Sequence, residues 1–376
     1  MKLIKSYGET DFVTGMRAIA ALMVVVIHTG GAGLRSLGPI GNAIADLGPS
    51  GVIVFFVISG FSVASSYELS GSFAQYLTRR LLRILPLFYF WLLFMWVRVG
   101  LNAPSFGEYL DGPSTYRLLM WIPLLHYLDA GIPGFIGVEW TLSVEVFWYL
   151  ALPLLLLAIR GRLSALVALP IAFEAYKGLM ELMVRHPIAI NVPPGGEVAA
   201  FQTSPLAYVF SFTIGVAVYR LRHAALDKFG DAAFLLVAIA LALHLSDRPR
   251  YTLHDPIIFV SVLAAICILF GSRRSYICRF VLANPVALFL GTISYGLYLS
   301  HLPIAYTIDA WGIARPATFA MFCATTLGSI VVSTVTYLLI ERPFQQIRFT
   351  RRSVLPDAET ASDIIPAADK RVAEKA

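Results

Sequence analysis

Apolar residues run along this chain in ten blocks, near 13–32, 51–68, 84–101, 140–159, 163–182, 203–220, 232–246, 256–271, 286–308 and 317–340, separated by polar stretches. Most approach the roughly 17–25 residues that a membrane-crossing helix needs, and none alternates strictly as a barrel strand would. Backbone groups in lipid must be satisfied within the protein, which leaves helices as the spanning element here. The pattern predicts an all-α, polytopic integral membrane protein with about ten transmembrane helices. They form one domain, residues 13–345, between a short polar N-terminus, 1–12, and a polar, disordered tail, 346–376. The least regular stretch is 104–139. Its apolar piece Leu118–Leu128 is too short to span comfortably and reads as an interfacial or re-entrant helix. Asn191-Val-Pro-Pro-Gly-Gly reads as an external loop. No internal repeat is visible.

Composition supports this reading. Hydrophobic residues make up 58% of the chain and charged residues 14%, against about 25% charged in a soluble domain. The lipid bilayer is therefore the expected surrounding, and the cell membrane (cytoplasmic or inner) the expected location. A net charge of +6 would suggest a nucleic-acid partner in a soluble protein. Here it reads as the cytoplasmic Lys and Arg excess of a membrane protein, and no nucleic acid is expected. With the N-terminus inside and the spans alternating, 21 of the 29 Lys and Arg lie nearer the inner side and 8 nearer the outer. That asymmetry predicts N-in and C-in. Cys267, Cys278 and Cys323 form no CxxC pair, and no metal site is expected. The first apolar block has no small-residue cleavage site after it, so no removable leader is expected.

Ionisable groups inside spans are costly and commonly functional, and four places hold them or their small polar companions. In the first span, Arg17 and His28 are eleven residues apart, about three helical turns, so they share a face with roughly 16 Å between them along the axis. A buried histidine there is either a satisfied structural group or a general base. The second span carries Ser59-Gly60 behind Phe55-Phe56, a small-residue notch suited to helix packing or to a narrow slot. Arg80 and Arg83 lie one turn apart at the inner edge, as membrane anchors or as a phosphate clamp. Glu145 follows Trp140-Thr-Leu-Ser143 two turns into its span. His301, in Ile293-Ser-Tyr-Gly-Leu-Tyr-Leu-Ser-His301-Leu-Pro303, falls in an outer half. His126, His186, His244 and His254 sit in or beside loops and receive no role.

At these residues the chain resembles the acyltransferase-3 family of membrane O-acyltransferases. The resemblance spans roughly residues 10–345. It rests on Gly15-Met-Arg17-Ala-Ile-Ala-Ala-Leu22 leading to His28, Phe55–Gly60, Arg80-x-x-Arg83, Trp140–Glu145, Ile293–Pro303 and Glu341-Arg-Pro-Phe344, in this order. There are departures. The family often has Asp where Thr14 stands, a second Glu where Val146 stands, and Trp where Ser300 and Leu302 flank His301. Some members carry a C-terminal esterase-like domain, for which this chain has no room.

The resemblance implies a ten-helix fold that moves acyl groups, commonly acetyl from acetyl-CoA, onto hydroxyls of envelope glycans or small molecules. It implies that Arg17, Arg80 and Arg83 support the CoA donor, with the pantetheine arm beside Ser59, and that His28 acts in acyl transfer. Glu145 is the expected second catalytic group, orienting His28 or stabilising its cation. Direct transfer and an acyl-histidine intermediate both fit. The alternative is a secondary transporter or flippase for a glycan or metabolite. Intramembrane His, Glu and Arg would serve it as well, but it lacks the inverted repeat and paired broken helices of that class.

Overall fold

A computed structural model describes residues 10–100, 115–132, 134–222, 229–246, 255–272 and 274–347. The expected tail therefore lies outside the described residues beyond Ile347. So do residues 1–9, the stretch 104–114 and His254. The apolar blocks are helices, as backbone self-satisfaction requires. In chain order these are α1 (Asp11–His28), α2 (Pro39–Leu47), α3 (Ser50–Glu68), α4 (Phe73–Gly100), α5 (Thr115–Trp121), α6 (Trp140–Ala158), α7 (Arg162–Arg185), α8 (Glu197–Gln202), α9 (Val209–Leu221), α10 (Gly230–Ser246), α11 (Asp255–Phe270), α12 (Pro285–Thr292), α13 (Ser294–Ala310), α14 (Phe319–Thr336) and α15 (Arg342–Gln345). No strand occurs among the described residues; a single isolated bridge joins Asp129 and Ile190.

Six helical stretches are long and apolar enough to cross a membrane: Asp11–His28, Ser50–Glu68, Phe73–Arg98, Trp140–Ala158, Arg162–Arg185 and Phe319–Gln345. The expected span 286–308 is broken into α12 and α13, which meet at 67°. Three further apolar helices, Pro205–Leu221, Gly230–Leu243 and Pro256–Phe270, are shorter. The chain is thus an all-helical, multi-pass membrane protein. Large apolar side chains on its outside, such as Leu154, Leu163 and Leu339, are more than two-thirds exposed, as a lipid-facing surface requires.

The expected third span differs most. The apolar block begins near Ile84, but α4 begins at Phe73, so Arg79, Arg80 and Arg83 stand inside the helix rather than ahead of it. Straight-chain Gln75, Arg79 and Arg80 favour helix as much as leucine does, so hydropathy marks the membrane edge and not the helix end. The Leu118–Leu128 segment is split. One short helix, α5, ends at Trp121, and a single 3₁₀ turn follows at His126–Leu128.

Close helix approach needs missing side chains. A Cβ on Gly60 would lie 2.5 Å from the Phe212 carbonyl oxygen, and one on Gly215 would lie 2.3 Å from that of Val57. The small-residue notch in α3 is therefore the crossing point with α9. Glu68 at the end of α3 pairs with Arg220 of α9 and accepts from the Tyr219 hydroxyl, while Arg220 Nε donates to the Ile159 carbonyl just past α6. The C-terminal ends of α3, α6 and α9 are thus held together. The N-terminal ends of α3 and α6 lie at the opposite end, with His28. Around this frame packs a core that includes Phe56, Trp148, Tyr149 and Phe212.

Candidate active site

Two polar levels occupy the space between α1, α3, α4, α6 and α13. At the first, Arg17 of α1 donates to Ser62 Oγ at 2.9 Å, and Arg80 of α4 donates to the Ser62 carbonyl at 2.7 Å. One residue of α3 thus gathers arginines from two other helices. Arg80 is buried, lies 5.8 Å over the Tyr149 ring, and its Nε has no hydrogen-bond partner among the described residues. Such an unmatched buried guanidinium donor is a natural place for an anion.

Next to the arginines, the Glu145 carboxylate accepts from Ser59 Oγ at 2.9 Å and from the Tyr149 hydroxyl. A narrow cavity of about 80 Å³ runs past this cluster. Arg17, Arg80 and Arg83 line one part of it, Ser59 and Glu145 another, and Phe55 and Tyr298 a third. All five of the expected residues Arg17, Ser59, Arg80, Arg83 and Glu145 therefore share one cavity wall. Their separation along the helices dictates this. Arg80 and Arg83 are i,i+3 on α4, and Ser59 and Ser62 are i,i+3 on α3, so each pair points to one side.

The second level holds His28 and His301. His28 closes α1 and is exposed, whereas His301 in α13 is fully buried. His301 Nδ1 lies 2.6 Å from the Tyr298 carbonyl, His28 Nδ1 lies 3.0 Å from the Val24 carbonyl, and His301 Nε2 lies 3.0 Å from His28 Nδ1. A carbonyl only accepts, so each Nδ1 carries the proton in the neutral rings. The His28 Nδ1–H is then shared between Val24 and His301 Nε2. This leaves His28 Nε2 as an unprotonated lone pair with no partner among the described residues, on the ring edge that is open. If Nε2 takes a proton, the cation strengthens both bonds at Nδ1.

His28 does not touch Glu145. The partner expected for it from the sequence is instead bonded to Ser59 and Tyr149, and the side chain that contacts His28 is His301, 273 residues away in sequence. The two levels are separated by Tyr298. Its ring lines the cavity and lies 6.1 Å from the His301 ring, while its hydroxyl meets Thr141 Oγ1 at 2.9 Å and donates to the Val138 carbonyl at 3.0 Å. Tyr149, Ser62 and Tyr298 were not singled out by the sequence reading. Their signal was spacing: four residues after Glu145, three after Ser59 and three before His301, each on the same helix face. Glu341 of the Glu-Arg-Pro-Phe motif is also buried, with Oε1 unpartnered among the described residues. Among the described residues, no group of three or more His, Cys, Asp or Glu could hold a metal ion.

A family model described as an acyltransferase domain matches residues 10–338. Nodulation protein 10 of Rhizobium leguminosarum bv. viciae is 29% identical over 320 residues, covering 79% of this chain and 82% of that protein. The peptidoglycan O-acetyltransferase OatA of Listeria monocytogenes is 24% identical over 361 residues, covering 90% of this chain and 56% of that relative. This chain thus spans little more than half the length of the Listeria protein. The acyltransferase MdmB of Streptomyces mycarofaciens is 33% identical over 149 residues, or 38% of each chain. No solved structure matches.

Proposed function

The chain belongs to this acyltransferase family, and from that premise we propose that it carries an acyl group, acetyl first among them, from cytoplasmic acyl-CoA to a hydroxyl of a cell-envelope glycan or exopolysaccharide. Membership makes it an O-acyltransferase. The naming of the Listeria relative for peptidoglycan O-acetylation supports the envelope acceptor. The observation that carries the reading is the two-level site. Cationic donors line one end of a narrow cavity, and a tautomer-locked imidazole pair lies at the other level.

The arginine level suits the donor. The phosphates of acetyl-CoA would meet Arg80 and Arg83, whose planar forks match phosphate oxygens, with Arg17 behind them. The pantetheine arm would extend past Ser59 and Glu145 toward Tyr298. The histidine level suits the acceptor. His28 Nε2 takes the proton of the acceptor hydroxyl while its oxygen forms a bond to the thioester carbonyl carbon. The carbon–sulfur bond then breaks, and the CoA thiolate leaves and recovers a proton from the imidazolium. His301 holds the tautomer throughout, and Glu145 fixes Ser59 and Tyr149 along the donor path. Tyr298 stands between the two levels, so the thioester has to pass its ring.

This reading places ten spans in the cytoplasmic membrane with both termini inside. The three shorter apolar helices and the bent α12–α13 pair complete the six long ones. Purified protein given labelled acetyl-CoA, with and without isolated envelope polysaccharide, tests the function. Acceptor-dependent labelling of hydroxyls is expected. Passage of the glycan across a vesicle membrane with no acyl transfer would replace the reading with transport.

A further inference from the structure

On the histidine side of the fold, α6 is preceded by a loop built with unusual care. Ala130 and Ile190 exchange backbone bonds with the facing segment, through Ala130 N to the Ile190 carbonyl at 2.9 Å and Ile190 N to the Leu128 carbonyl at 2.8 Å. Asp129 accepts from the Tyr116 hydroxyl, Gly131 N and Asn191 Nδ2. Glu139, fully buried, accepts from the backbone N–H of Phe135, Ile136 and Gly137. His126 stacks on Trp121 with ring centroids 3.4 Å apart and bonds Ser143. These contacts satisfy costly buried groups and fix the loop. What they hold open is a cavity in two chambers.

One chamber, about 260 Å³, is lined by Trp121, Trp140, Tyr127, Asp129 and Glu139. The other, about 240 Å³, is lined by Phe147, Met183, Ile188, Phe201 and Leu206. Tyr127, Ala189 and Ala200 line both, so the chambers adjoin. The apolar chamber contains one polar side chain, Ser204, which is 3% exposed and whose Oγ has no partner among the described residues. A buried hydroxyl left unmatched beside a fixed cavity points to a ligand atom that matches it. Aromatic faces beside carboxylates and backbone polar groups suit a sugar, whose ring has apolar faces and a polar rim. The second chamber, apolar but for one hydroxyl, suits a hydrocarbon chain with a polar atom near its start.

The cavity also reaches the histidine pair. A Cβ on Gly137, which lines the aromatic chamber, would lie 2.8 Å from Leu302, the residue after His301. The next residue, Val138, accepts the Tyr298 hydroxyl, and the Tyr298 carbonyl accepts from His301. We infer that this two-chambered cavity is the acceptor site and that the acceptor it takes is amphipathic, a saccharide joined to an apolar chain. The inference rests on the proposed acyl transfer for its role in turnover, though not for binding.

The test uses the full chain in lipid nanodiscs and an octyl β-D-glucoside with a photoactivatable diazirine at its chain end. Label is expected within residues 183–206. Excess octyl glucoside should remove it, whereas equal glucose or equal 1-octanol should not. Competition by octanol alone would make the cavity a lipid crevice. Full competition by glucose would make it a plain sugar site, and label elsewhere would remove the cavity. Each of these overturns the proposal. Ala189→Trp and, separately, Ala200→Phe fill the junction and should cut labelling roughly tenfold or more while CoA affinity is kept. In turnover, Ala189→Trp should raise the acceptor KM and leave the acetyl-CoA KM unchanged. Labelling in a protein that transfers no acyl group would leave the cavity standing and remove the enzyme reading. Transfer with an unchanged acceptor KM in Ala189→Trp would do the reverse.

Discussion

The arginine level and the histidine level are built on opposite principles. At the first, charges from three helices are crowded round one carboxylate and one serine, with a buried guanidinium nitrogen left over. At the second, two imidazoles are held by main-chain carbonyls and by each other. The first arrangement is incomplete without an anion. The second is complete while neutral and leaves one lone pair facing outward. Affinity for a charged donor and proton transfer at a hydroxyl call for these different constructions, because one needs fixed charge and the other a group that can gain and lose it.

The sharpest way to break the comparison is to remove the outward lone pair's basicity. His28→Asn keeps hydrogen-bonding capacity but cannot act as a base near neutral pH. Turnover should fall by about 10²- to 10⁴-fold, the usual cost of losing a general base, with CoA affinity unchanged by calorimetry. A well-folded variant with near-normal turnover would take His28 out of the chemistry. At the other level, Arg80→Ala and Arg83→Ala should each weaken CoA binding by about tenfold or more, since a charge-assisted hydrogen bond is worth roughly 1.5–3 kcal/mol. Lys at either position should restore only part, having no fork. Equal CoA affinity in both alanine variants would return these arginines to membrane anchoring.

A smaller effect is expected at His301, which acts through His28. His301→Gln should lower kcat less than His28→Asn does, with the acetyl-CoA KM unchanged. It should also move the limb of the pH–rate profile that belongs to His28. A purely structural role would instead lower the amount of folded protein and leave that limb in place.

Much of the donor level could be read from the sequence because its members are close neighbours on single helices. Arg80 and Arg83, or Ser59 and Ser62, announce their shared faces by spacing alone. The partner of His28 could not be read this way. It arrives from α13, and no local pattern links positions 28 and 301. The sequence reading turned to Glu145 because a carboxylate is the commoner companion of a catalytic histidine. The packing of α3 against α6 gives that carboxylate to Ser59 and Tyr149 instead. The fold shows the same division. Apolar blocks located the helices, while the early start of α4 and the 67° break before α13 depended on helix propensity and packing that hydropathy does not record.

His126, left without a role by its loop position, is buried against Trp121, and burial pushes its pKa down to about 3. In the unfolded chain it would titrate near 6.5. Stability should therefore be full above about pH 6.5 and fall by about 1.4 kcal/mol per pH unit below it, toward the folded value, as the unfolded state takes up the proton. Thermal unfolding in detergent between pH 7 and pH 4 should show a steeper decline in the native chain than in His126→Gln. Parallel curves would mean that His126 is already charged in the fold.

The claim that the two levels serve opposite faces of the membrane is tested most directly in vesicles holding the protein in one known orientation. Labelled acetyl-CoA is placed on one side and a polysaccharide acceptor on the other. Transfer is predicted only when acetyl-CoA is on the side of Arg80 and the acceptor on the side of His28. Transfer that requires both substrates on one side, with none across the membrane, would contradict the account.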